Sequence, residues 1–187
     1  MKKIILFLGI TLSSFISQAQ TKIDGISFPD TYTAGKDKLV LNGGGTREKL
    51  WMGMYVGALY LPAKSKDGAA IVAANSSMVI RMCIISSLIT SSRMAEAVEE
   101  GFKKSTGGKQ EAIKDKIAQF QKAFSEPIKV GDVFDIVYTA EKITVIKNGA
   151  QKSEIPGLDF KKAVFGIWLG ADPADSDLKE GMLGESD

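Results

Sequence analysis

The chain has 187 residues with 24 basic and 22 acidic side chains, no histidine and one cysteine. The missing histidine excludes Ser-His-Asp and Cys-His catalysis and the usual zinc sites, and a lone cysteine cannot close an internal disulfide. Without Lys2 and Lys3 the basic residues equal the 22 acidic ones, so the basic excess that marks nucleic-acid binding is absent.

Lys2 and Lys3, an apolar stretch over residues 4–10 and Ser17-Gln18-Ala19 form the pattern of a secretory signal peptide cut after Ala19. Residues 1–19 are therefore expected to be removed, leaving residues 20–187 as a single domain in the periplasm or outside the cell. No cysteine stands at the cut to carry a lipid anchor. No later apolar run is long enough to span a bilayer, so no transmembrane anchor is expected after cleavage.

Ile26-Ser27-Phe28-Pro29 reads as a short strand and residues 38–42 as a second. Gly43-Gly44-Gly45 reads as a corner. Residues 50–61 form a long strand rich in aromatic and branched side chains, residues 68–75 a short helix and residues 78–86 another strand. Thr90 or Ser91 can cap a helix through SSRMAEAVEEGFKKS, whose Met94, Val98 and Phe102 make an apolar stripe. KQEAIKDKIAQFQKAF gives a second amphipathic helix with Ile113, Ile117, Phe120 and Phe124 inward. Residues 129–140 and 142–147 read as strands joined at Ala140-Glu141, and Asn148-Gly149 turns into a strand ending at Pro156. LDFKKAVFGIWLG is a helix with Ala163, Val164, Ile167 and Trp168 on its core side, and a last short helix follows. This order of elements predicts an α+β fold with an antiparallel sheet.

Alternation divides residues 50–61 into two apolar faces, so this strand should be covered on both sides. The odd face carries Trp51, Gly53, Tyr55, Gly57, Leu59 and Leu61. Its glycines either admit a closely packed helix or leave room for a ligand. Without a bulge, Arg47 shares that face with Tyr55. A guanidinium at the edge of an apolar cavity can hold a carboxylate or phenolate, and a tyrosine can add a hydroxyl. The competing reading pairs Arg47 with a nearby acid or leaves it on the surface. GGGT lacks the lysine-hydroxyl ending of a phosphate loop, and Cys83, within MVIRMCIIS, reads as a small buried hydrophobe.

DGISFP, LVLNGGGTREKL, MYVGALYLP and the late DFKKAVFGIWLG with LKEGMLG together resemble the bacterial branch of the chalcone isomerase-like family. The resemblance implies an open antiparallel sheet packed against a layer of helices, with a ligand cleft between them. It also implies one of two functions, cyclisation of chalcones by an intramolecular lyase or non-catalytic binding of fatty acids. Arg47 falls on the arginine that both kinds use, and Tyr55 on a position where the enzymes keep threonine. The following helix supplies a tyrosine and an asparagine in the enzymes. SSRMAEAVEEGF contains neither, and Met94 lies near the tyrosine position. The expectation is therefore an exported, non-catalytic binder of a small amphipathic or aromatic anion, with a lyase acting on a phenolic enone as the alternative. The expected ligand-binding residues are Arg47, Tyr55, Trp51, Gly53, Gly57 and Met94, with no cofactor and no metal.

Overall fold

A computed structural model describes residues 19–185 except Ala140. Most of the expected leader (residues 1–18), Ala140 of the expected turn and residues 186–187 lie outside the described residues. Strands β1 (Gln20–Ile23) and β2 (Ile26–Pro29) form a separate hairpin. Strands β3 (Thr31–Ala34), β4 (Asp37–Lys49), β5 (Met52–Leu61), β6 (Met78–Ile84), β7 (Val133–Thr139), β8 (Lys142–Lys147) and β9 (Ala150–Pro156) make one seven-stranded antiparallel sheet. Each strand lies beside its neighbour in sequence.

Among the described residues five α-helices cover the sheet: α1 (Gly68–Ala73), α2 (Ser91–Ser105), α3 (Lys114–Lys122), α4 (Leu158–Leu169) and α5 (Ser176–Met182). Thr90 caps α2, its hydroxyl accepting from the Arg93 amide at 3.3 Å. Met94, Val98 and Phe102 then face inward as their spacing predicts. Phe102 stacks on Phe160 of α4 with ring centroids 5.5 Å apart and meets Phe120 of α3 edge-on at 5.7 Å.

The sheet is buried on both faces. Leu59, Ile80, Ile136 and Val145 meet the helix layer, while Val56, Ala58, Tyr60 and Val79 meet Phe28, Leu39 and Leu41 on the other side. Across that second face Arg81 grips Asp135 on the adjacent strand with two bonds of 2.7 and 2.8 Å. The Tyr32 hydroxyl donates to the same carboxylate at 3.2 Å. A charge pair at this depth holds because both members are matched in plane and hydrogen-bonded.

Three expectations need correction. The glycine triplet is no corner, since Gly43, Gly44 and Gly45 lie inside β4. They form a flat strip on which α5 rests backbone to backbone, and a Cβ on Gly43 would collide with the Gly181 carbonyl. The long strand begins at Met52, because Leu50 and Trp51 form the turn between β4 and β5. The helix expected over residues 109–124 is a single 3₁₀ turn (Glu111–Ile113) followed by the shorter α3.

Candidate ligand cleft

Arg47 belongs to β4, and its partner across the hairpin is Tyr55 of β5. Directly paired residues of antiparallel strands project to the same face, so the two side chains meet on the helix side by a route the single-strand reading did not contain. The Arg47 guanidinium carbon lies 5.8 Å from the centre of the Tyr55 ring. Next to this pair the register shifts, with Arg47 opposite Tyr55 but Glu48 opposite Gly53. Met54 is therefore the extra residue of a β-bulge. Asp175 holds the bulge from above. One of its carboxylate oxygens accepts from the Glu48 amide at 3.1 Å, and the other caps α5 through the Leu178 amide at 2.9 Å.

The bulge redistributes the predicted site. It brings Met54 to the side of Tyr55 and turns Gly53 to the opposite face, toward Thr46 and Ile85. Gly57 remains on the helix side but serves packing, since a Cβ there would sit 2.7 Å from the Met182 methyl and 3.3 Å from Leu178. Trp51 stands at the turn, 91% exposed. Trp51, Gly53 and Gly57 are thus outside the cleft lining, whereas Arg47, Tyr55 and Met94 are brought together in it.

The cleft lies between the β4–β5 hairpin and α2 and encloses about 430 Å³. Met52, Met54, Leu88, Ile89, Met94 and Ala97 supply its apolar wall. Lys49, Arg93, Glu96 and Glu100 supply the charged part of its lining. A recess of about 30 Å³ continues inward past Arg47, Tyr55, Met94 and Ala97 to Phe120, Phe124 and Trp168. Arg47 stands at the junction of the two spaces.

Arg47 has no acidic partner within ion-pair distance among the described residues. Its Nε is buried and finds no acceptor among them. The Tyr55 hydroxyl accepts from Trp168 Nε1 at 2.8 Å. Its own proton meets no acceptor among the described residues. Burial pushes the Tyr55 pKa up, with the nearby Arg47 charge and the Trp168 bond opposing and Asp175 adding to the rise. The phenol therefore remains a neutral donor at ordinary pH. Together the pair offers a cation and an O–H to one oxyanion, beside an apolar body site.

Sequence reasoning missed Trp168 as the partner of Tyr55, because a tryptophan on a buried stripe reads as core filling. Ala97 was accessible to it, since it lies three residues after Met94 and shares that side of α2.

An antiparallel sheet roofed by helices is the architecture expected of the family that the sequence resembles. The sequence profile described as chalcone isomerase-like matches residues 20–184, and the chain belongs to that family. The crystal structure of a fatty-acid binding protein from Arabidopsis thaliana superposes with a TM-score of 0.68 at 18% identity, covering 85% of this chain and 92% of that one. At that identity the likeness establishes the shared fold. No curated protein matches the sequence.

Proposed function

We propose that the protein is exported through its N-terminal leader and binds a small amphipathic anion, such as a fatty acid, without transforming it. The observation that carries this reading is Arg47, whose buried Nε lacks an acceptor among the described residues while its side chain faces a largely apolar cavity. A carboxylate placed there would accept from the guanidinium and from the Tyr55 hydroxyl. The hydrocarbon would lie along Met54, Met94 and Leu88. The cavity of about 430 Å³ falls within the usual range for small-molecule sites, and the similar Arabidopsis structure is that of a fatty-acid binding protein.

Native mass spectrometry and calorimetric titration with oleate test the reading. Arg47→Gln should weaken oleate binding at least tenfold, about 1.4 kcal/mol, yet leave the affinity for oleyl alcohol nearly unchanged, because only the acid carries the charge. Wild-type protein that purifies without ligand and ignores added oleate would overturn it, as would an Arg47→Gln variant that binds oleate like wild type.

A further inference from the structure

The two-residue hairpins of this chain differ in what they place at the turn. β1–β2 turns on Asp24-Gly25 with φ of 45° and 87°, and β8–β9 on Asn148-Gly149 with φ of 51° and 81°. These residue types enter the left-handed region readily and favour hairpin turns of type I′. β4–β5 makes a turn with the same sign of φ on Leu50-Trp51, at 51° and 63°. Large apolar residues adopt that conformation only under strain. Burial does not offset it, since Leu50 is 69% exposed, Trp51 91% and Met52 44%. An apolar tip held outward under strain does nothing for the stability of the chain itself. It suits a function that needs the tip exposed.

The tip is continuous with the opening of the cleft, where Leu50 and Met52 join Leu88, Lys49 and Arg93. We infer that the Leu50-Trp51 tip docks on a lipid bilayer surface and brings the mouth of the cleft to the interface. Its purpose there, exchange of an amphipathic ligand with the membrane, rests on the function proposed above, whereas the docking does not. The shape favours a bilayer over a protein partner. A convex tip needs a pocket in a protein, while the interfacial layer of a membrane accepts tryptophan and leucine without one. Charge favours it as well. Lys49, next to the exposed Glu48, adjoins the tip and Arg93 stands on the same rim, and these two cations suit anionic headgroups. The rim acids Glu96 and Glu100 lie about one and two turns further along α2.

Co-sedimentation with mixed phosphatidylcholine–phosphatidylglycerol vesicles, together with tryptophan emission, tests the inference. Trp51 should shift to the blue on vesicles and be quenched by brominated acyl chains, while the buried Trp168 serves as the internal reference. Trp51→Gly relieves the turn and should lower vesicle partitioning at least tenfold, with oleate affinity in solution unchanged. Wild-type protein that stays in the supernatant overturns the inference, and so does a Trp51→Gly variant that partitions equally well. A dimer in vesicle-free buffer that Trp51→Gly dissolves also overturns it, since the tip would then serve a second copy. Vesicle docking without oleate binding would leave the docking standing and remove the fatty-acid reading of the cleft.

Discussion

Tyr55 connects three parts of the molecule through one hydroxyl and one ring. Its ring lies under Arg47, its oxygen accepts from Trp168 of α4, and its backbone closes the bulge that sets the arginine's direction. Tyr55→Phe removes the only partner, among the described residues, of a buried indole N–H, and leaving such a donor unsatisfied costs about 1–3 kcal/mol. Urea denaturation should show a loss of that size. Trp168→Phe alone also destabilises the fold by loss of volume. The double variant should lose less than the sum of the two singles, because the second change finds no bond left to break. Additive losses would show that the 2.8 Å contact contributes nothing.

At the scale of elements, α5 docks through absent side chains. The Gly43–Gly45 strip and Gly181 approach so closely that a Cβ on Gly181 would lie 2.5 Å from the Gly44 carbonyl oxygen. Gly43→Ala drives a methyl into backbone that cannot move alone, whereas Gly57→Ala meets the flexible end of Met182. Thermal unfolding should therefore show Gly43→Ala losing about 1–3 kcal/mol or more and Gly57→Ala distinctly less. Asn42 seals the same dock, donating to Met182 O at 2.7 Å and to Ser65 O at 2.9 Å. These close approaches explain what could be read in advance. Periodicity exposed the stripe of α2, and Asn148-Gly149 announced its turn, because both signals are local. The glycine triplet was ambiguous, since glycine marks a corner and a close contact alike and only the distant α5 decides between them. Gly53 was placed on the wrong face because the bulge at Met54 shifts the alternation, and Leu50-Trp51 carries no turn chemistry at all. Strands β1 and β3 are four residues each and carry too little apolar alternation to announce themselves, although each pairs with the strand that follows it in the chain.

The whole molecule titrates in two opposed ways at alkaline pH. Lys161 is fully buried in α4, and its ammonium donates to the carbonyls of Ile71, Val72 and Ala74 at 2.7, 2.9 and 2.7 Å, closing the C-terminal end of α1. Desolvation still pulls its pKa from 10.5 down to about 8, with Lys162 adding to the fall. Between those values the unfolded chain binds more protons than the folded one, so stability rises with pH. All four tyrosines shift the other way. Burial raises Tyr32 to about 12 and lifts Tyr55, Tyr60 and Tyr138 above the ordinary value of 10.0. Stability that is complete below that value is then lost as the pH climbs through the folded-state values. The urea midpoint should rise from pH 8 toward about 10 and fall beyond it. Lys161→Met should lower the midpoint throughout and abolish the rise but keep the fall. Absorbance of tyrosinate at high pH should appear together with unfolding.

The sheet order has a consequence for how the chain reaches this state. Apart from β5–β6, whose connection over residues 62–77 holds α1, every pairing within β3–β6 and within β7–β9 is a local hairpin, and such hairpins form in microseconds. The β6–β7 pairing must wait for residues 85–132 to be gathered in, the longest closure in the sheet and the one with the largest entropic cost. That excursion contains α2, one wall of the cleft. During refolding, pulse-labelled amides of the two strand groups should gain protection before those of α2, and a fluorescent fatty acid should bind only in the last kinetic phase.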